Sequence, residues 1–346
     1  MKRLIISFIT LYFCIVINYG NTECEIISSK ELWKNKKKVV FKLQLIIGSD
    51  DLDKEEYVFG MISDVKVDQD GCIYVLDSTN FRVQKFSPKG KFLKSFGGRK
   101  GNGPGEFLRP KRIALDFHKN LYVADVYQSR ITVFNQKGEI IKTIKTKVQP
   151  ADIAIGRNWE FYITGFFDFS NFRVYKYDLL TGILKNTFCK SKKETTLVAK
   201  AGEAGSLCVD KEGNIYYSFF YPYEIRKFSP DGKLLKCFGR KAPFYKPPFL
   251  NQFGYFSSVS GTTALTVLPD GRIINVIKYR DLKKKKAYFY FDIFDKKGNW
   301  LLTFSSSELG LNWIRNVTSD SQGNLYLDCI DPYPHIRKYS MRFIEE

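Results

Sequence analysis

Short runs of alternating apolar and polar residues recur along most of the chain, bounded by Gly, Asp, Asn or Pro, and the runs come in sets of four. The plainest set is Val65 to Asp68, Ile73 to Asp77, Arg82 to Phe86 and Phe92 to Phe96, with Asp70-Gly71 and Pro88-Lys89-Gly90 as turns. Period-two alternation between turn residues predicts β-strands with one face buried. A second set has Ile113 to Asp116, Leu121 to Asp125, Arg130 to Phe134 and Ile140 to Ile144. The third runs through Ile153, Phe161 to Ile163, Arg173 to Tyr177 and Leu184 to Phe188. The fourth has Leu207 to Asp210, Ile215-Tyr216, Ile225 to Phe228 and Leu234 to Phe238. The fifth is the most divergent, with Leu265 to Leu268, Ile273 to Ile277, Tyr288 to Phe294 and Trp300 to Phe304. A sixth has Val317 to Asp320, Leu325 to Leu327 and Ile336 to Tyr339, and lacks a fourth run.

A unit of four short antiparallel strands, here a to d, cannot bury both faces alone, so neighbouring units must stack. Six units of about 50 residues predict an all-β, six-bladed β-propeller of four-stranded antiparallel blades. The missing strand has a match at the other end of the chain, where Phe41 to Gly48 repeats the pattern of Lys91 to Gly97. That N-terminal strand is predicted to complete the last blade and close the ring, which leaves no open edge there. The propeller then spans 39–346, after a lead-in at 21–38.

Composition adds charge and location. With 55 Lys and Arg against 36 Asp and Glu, the 346-residue chain is formally +19. Residues 1–20 read as an export signal: Lys2 and Arg3 precede the apolar run Leu4 to Ile17. That run falls short of the roughly 20 residues that span a bilayer, so cleavage is expected, with an uncleaved anchor as the alternative. Losing Lys2 and Arg3 leaves 19 − 2, or +17, so the basic character belongs to the folded domain. The location implied is periplasmic, secreted, or extracytoplasmic and membrane-anchored. Cys24, Cys72, Cys189, Cys208, Cys237 and Cys329 follow the signal with no zinc-motif spacing. They are expected to be mostly buried thiols on strands, and no particular bridge is predicted.

The stretch Gly101-Asn102-Gly103-Pro104-Gly105-Glu106-Phe107, followed by Pro110, Ile113-Ala114, Asp116, Leu121 to Asp125 and Arg130, resembles the NHL repeat. Asp77, Asn80 and Arg82 repeat the end of that motif one blade earlier. The match is specific over blades one and two, fair in four and six and weak in three and five. The resemblance implies a six-bladed propeller of the NHL or TolB-like kind. It does not imply one function, because this fold carries lyases, lactonases, RNA binders, sensors and scaffolds.

Candidate catalytic sets are thin. The glycines at 97–105 lack the Gly-Lys-Ser/Thr ending of a phosphate loop, and read as an inter-blade connection. Asp77 and Asp125 closing strand b, with Arg82, Arg130 and Arg173 opening strand c, recur blade after blade and read as structural bracing. The amidating lyases of this fold gather several histidines around a zinc. Here His118 is expected in an a–b turn and His335 in a b–c loop, at opposite ends of the propeller, so no shared metal is predicted. No catalytic residue and no cofactor are expected. The exception weighed is calcium in the channel, through Asn275, Asp328 and Asp125, as in a lactonase-type enzyme.

Loops a–b and c–d are tight, whereas loops b–c and d–a, which share the other face, hold the long insertions. There the chain places Phe166, Phe167 and Phe169, then Tyr221 and Tyr223. The insertion 239–258 adds Arg240, Lys241, Phe244, Tyr245, Lys246 and Tyr255. The loop expected at 279–287 adds Arg280 and the run Lys283, Lys284, Lys285 and Lys286, and blade six contributes Tyr333 and His335. One face is therefore expected to be basic and aromatic, suited to binding. The reading is an exported, non-catalytic binding or scaffold propeller, a monomer, for a protein or an anionic cell-surface glycan or lipid. Export argues against nucleic acid, and RNA binding becomes the alternative if the chain is not exported. An extracytoplasmic sensor domain is the remaining reading.

Overall fold

The computed structural model describes residues 17–19, 22–27, 38–192, 195–200, 202–242 and 244–344. Apart from Ile17–Tyr19, the segment read as the body of an export signal lies outside the described residues. Five sets of runs form antiparallel sheets within single stretches of chain. Their inner strands a are Ile62–Val67, Pro110–Leu115, Gln149–Ile155, Ser206–Val209 and Ser260–Val267. Blade six is Val317–Ser319, Leu325–Cys329 and His335–Ile344, completed by Lys38–Ile47. The closing pair is antiparallel, with Ile336 opposite Ile47 and Ile344 opposite Lys38. Each inner strand contacts the next around the ring, and the sixth contacts the first.

The a–b turns owe their shape to one carboxylate. Asp116 accepts from the backbone N–H of His118 at 2.9 Å and of Asn120 at 2.8 Å, and from the Tyr122 hydroxyl at 3.3 Å. Asp68, Asp210 and Asp320 repeat this arrangement with Tyr74, Tyr216 and Tyr326. An Asp that binds backbone two and four residues on is the side-chain equivalent of a turn. Between blades lie six apolar clusters, each built from two neighbours. At the first interface Tyr74, Leu76 and Phe96 of blade one meet Ile113, Val123 and Phe134 of blade two. Burial of such side chains is worth about 1.5–3 kcal/mol each, which is what holds the radial stack together.

Three features depart from the sequence reading. Within the lead-in, Thr22–Ile27 forms a strand that the sequence reading did not assign, a fifth strand of blade four parallel to Leu234–Arg240 with Cys24 opposite Cys237. The expected loop 279–287 is largely strand: Ile273–Asp281 and Lys286–Phe294 pair to the end, leaving a tight turn at 282–285. Alternating Tyr279, Tyr288 and Tyr290 sustain that extension, and Tyr279 stacks near Tyr288 at 6.3 Å. Finally, His335 begins strand c and is buried at 2% exposure, so it does not sit in an open loop.

Candidate functional site

The inner strands begin on the long-loop face, and in four blades they begin with a β-bulge: between Ile62 and Asp64, Pro110 and Arg112, Pro150 and Asp152, and Thr262 and Ala264. A bulge adds one residue and re-aims its side chain. In blade two that residue is Lys111. It lines a cavity of about 340 Å³ at the channel mouth, together with Arg109, Arg112, Lys278 and Arg315. Among the described residues Asp152 and Glu203 are the only carboxylates in the lining, so five cations face two acids. Phe166, Phe220, Phe289 and Trp313 supply the apolar part of the wall.

Arg112 crosses the channel. Its guanidinium donates to Ser63 O of blade one at 2.8 Å and Thr263 O of blade five at 3.5 Å, and lies 3.6 Å from Asp152 of blade three. Asp152 is further engaged by the backbone N–H groups of Ile153 and Leu207, both at 2.9 Å. Asp64 is spoken for as well, by Lys66 at 3.0 Å and the N–H of Ile113 at 2.9 Å. Asp152 and Asp64 are thus occupied. Glu203 is the carboxylate set against Lys111 and Lys278, while Arg315 has the buried Asp328 nearby.

The electrostatics record this shortage. Burial, with Arg112, Arg109 and Arg315 nearby, pushes the Lys111 ammonium down to about 7. Burial and the cations Arg280 and Arg315 also lower Lys278, whose ammonium sits 5.1 Å from the Trp313 ring. Burial raises the Glu203 carboxyl, against the pull of Lys278 and Lys111. Among the described residues no carboxylate pairs with Lys111. Such a set is favourable to an anion and unfavourable to a cation.

The residues expected on the binding face divide. Phe166 lines the mouth, 6.0 Å from the Arg109 guanidinium. Phe167, Phe169 and Tyr255 are exposed at 53%, 60% and 71%, and Lys241, Lys246, Arg280 and Lys283 to Lys286 are exposed too. Arg240, Tyr223, Tyr245 and Phe244 instead belong to the interior. Arg240 grips Asp292 with bonds of 2.6 and 2.9 Å, the Tyr223 hydroxyl donates to the same carboxylate, and Phe244 stacks on Tyr290 at 4.9 Å. Tyr245 donates to Phe220 O and accepts from the N–H of Thr262 at 3.1 Å, with Tyr221 stacked on its ring at 5.9 Å. These side chains anchor the insertion 239–258 to blade five. Tyr333 is half-buried, its carbonyl 2.6 Å from His335 Nδ1, while Arg337 donates to His335 Nε2 at 2.9 Å.

The repeated Asp and Arg residues serve the loops. Asp125 accepts from the N–H groups of Leu108 at 2.7 Å and Arg109 at 3.1 Å, and Asp77 accepts likewise from Gly60 and Met61. Arg130 donates to Asn102 O, Gly103 O and Glu106 O, tying down the glycine-rich connection. Arg82 and Arg173 reach backbone carbonyls in the same way, Val58 O at 2.8 Å and Ser170 O at 2.6 Å. As for metals, His118 packs on Phe117 and Trp159 in its a–b turn, far in topology from His335. Asn275, Asp328 and Asp125 lie in three different blades, and Asp328 is bound by the N–H groups of Arg315 and Asn316. Among the described residues no group of three His, Cys, Asp or Glu could hold a metal.

A closed ring of six blades with a cationic cavity at one channel mouth defines a six-bladed β-propeller. The chain belongs to the DUF5128 family, a 6-bladed beta-propeller family whose model matches residues 21–308. No curated protein matches it in sequence. Among solved structures it is similar to a Bacteroides fragilis protein named as an export candidate, with TM-score 0.63 and 12% identity over 92% of this chain and 99% of that one. A DUF4221 member from Bacteroides vulgatus gives TM-score 0.62 and 11% identity, over 89% and 99% of the two chains. Virginiamycin B lyase from Staphylococcus aureus gives 0.54 and 12%, over 88% and 99%. At these identities the likeness is one of fold. Among the described residues no helix is long and apolar enough to cross a membrane.

Proposed function

We propose that this is an exported, non-catalytic binding propeller with NHL-type repeats, whose long-loop face takes an anionic partner and whose channel mouth holds that partner's acidic group. The observation that carries the reading is the excess of cations in one lined cavity, five against two, with Asp152 and the neighbouring Asp64 already engaged. The exposed Phe167, Phe169, Tyr255 and Lys283 to Lys286 extend the same chemistry to the rim. A cell-surface glycan bearing carboxylates or sulfates, an acidic lipid head group or an acidic protein segment would each supply the charge.

The experiment is calorimetric titration of the purified protein with uronate and sulfated oligosaccharides, anionic lipid head groups and inorganic phosphate. Binding that weakens with salt and is lost in Arg315→Met supports the reading. Indifference of both proteins to every anion at millimolar concentration overturns it.

A further inference from the structure

We propose that the channel mouth captures small anions that also carry an aldehyde or ketone, as an imine on Lys111. The inference rests on the anion-binding reading and adds covalent chemistry to it. Lys111 stands on the bulge of blade two, half-buried, in a cavity of about 340 Å³ that opens to solvent. The groups around it come from several elements. Arg109 and Arg112 flank it on its own segment, Arg315 approaches from blade six and Lys278 from blade five, while Glu203 comes from the connection into blade four. Asp152 and Asp64, from blades three and one, are held by Arg112 and Lys66. Lys111 is therefore a lysine among cations with no ion pair among the described residues. The other inner-strand lysine near the axis, Lys66, is paired with Asp64 at 3.0 Å.

An amine attacks only when neutral, and a lysine next to other cations in a desolvated site is the arrangement that supplies one. With its ammonium pushed down to about 7, Lys111 is about half neutral at pH 7, against fewer than one in about a thousand for an exposed lysine. The same cations draw in the anionic end of the ligand and hold its carbonyl close, as proximity requires. The step balances without oxidant or reductant. The Lys111 Nζ lone pair forms a C–N bond to the carbonyl carbon as the C=O π pair moves to oxygen, and the proton that nitrogen then gives up goes to that oxygen. The carbinolamine loses its hydroxyl together with the second nitrogen proton as water, as C=N forms. Glu203, whose carboxyl is raised by burial, lines the same cavity and can pass the proton.

The test is reductive trapping on the full chain at pH 7, with pyridoxal 5′-phosphate and, separately, glyoxylate, each followed by borohydride and peptide mass mapping. The expected result is modification of Lys111 at least about tenfold faster than of any other lysine, suppressed by inorganic phosphate and absent at that position in Lys111→Arg. Labelling in proportion to exposure, led by Lys283 to Lys286, overturns the proposal. Mapping the unaltered protein decides this even if the variant fails to fold. Phosphate binding without selective trapping would sink the imine and leave the anion site standing. Loss of both would remove both.

Discussion

The seam between blades four and five and the channel mouth both bury cations, and they do so in opposite ways. Arg240 lies at 2% exposure with both oxygens of a fully buried Asp292 in its grip, and Tyr223 and Thr303 donate to the same carboxylate. Lys111, at the channel mouth, has Arg109, Arg112 and Arg315 for neighbours, with Glu203 the nearby acid and no ion pair among the described residues. In the first arrangement the charge and its counter-charge meet within the chain. The second leaves positive charge in excess, which is what the proposed anionic partner would meet.

Breaking the complete pair should have the largest effect. Arg240→Ala strands Asp292 without its partner, and is expected to cost about 3–5 kcal/mol in denaturant unfolding. A loss below 1 kcal/mol would mean the pair is not buried as described. Lys111→Met should do the reverse, leaving stability within about 1 kcal/mol of the parent because an uncompensated charge is removed. Its affinity for phosphate or an acidic sugar should fall about tenfold or more, the worth of one charged hydrogen bond. A Lys111→Met protein that unfolds easily and binds normally would invert the comparison.

Titration sharpens it next. A bound anion raises the Lys111 ammonium from about 7, so binding takes up a proton at higher pH. Affinity should be full below pH 7 and fall by up to about tenfold per unit above it, with calorimetric heats that differ between buffers of different ionisation enthalpy. Affinity flat from pH 6 to 9 would exclude Lys111 from the site. The smallest effect is expected at Asp328, whose carboxyl burial raises to about 6 from 3.8. Its native form holds a proton more tightly than the unfolded chain between those values, so its contribution to stability falls as pH rises through that window. Asp328→Asn keeps an oxygen for the N–H groups of Arg315 and Asn316, and should flatten that slope in urea melts at pH 4.5 and 7.

The ring was legible in the sequence because each blade repeats its own turn chemistry. Asp116 with Tyr122 and Asp320 with Tyr326 are the same device, and Phe41 to Gly48 had the pattern of the strand that blade six lacked. Basic residues in sequence runs, such as Lys283 to Lys286, were equally easy to see. The mouth was harder. Arg109, Lys111, Lys278 and Arg315 are scattered over about 200 residues, and only the symmetry of the fold brings them to one rim. A signal did exist in the first polar residues of each inner strand, where Lys111-Arg112 stands in register with Ala151-Asp152. The burial of Arg240 and Tyr223 was not readable, since their partner Asp292 lies 52 and 69 residues further on in an alternating strand.

The closing strand also sets an order in time. Lys38–Ile47 is synthesised early, and its partner His335–Ile344 emerges some 290 residues later, on the order of tens of seconds at about 5–20 residues per second. Throughout that wait a strand of Val, Leu and Ile has no sheet to join, and it is the kind of segment that finds other chains. Even in the finished ring Val40, Leu43 and Ile46 remain 45% exposed on the outer edge. Lys38 and Lys42, spaced along that strand, give it a charge that repels its own copies while its partner is still being made.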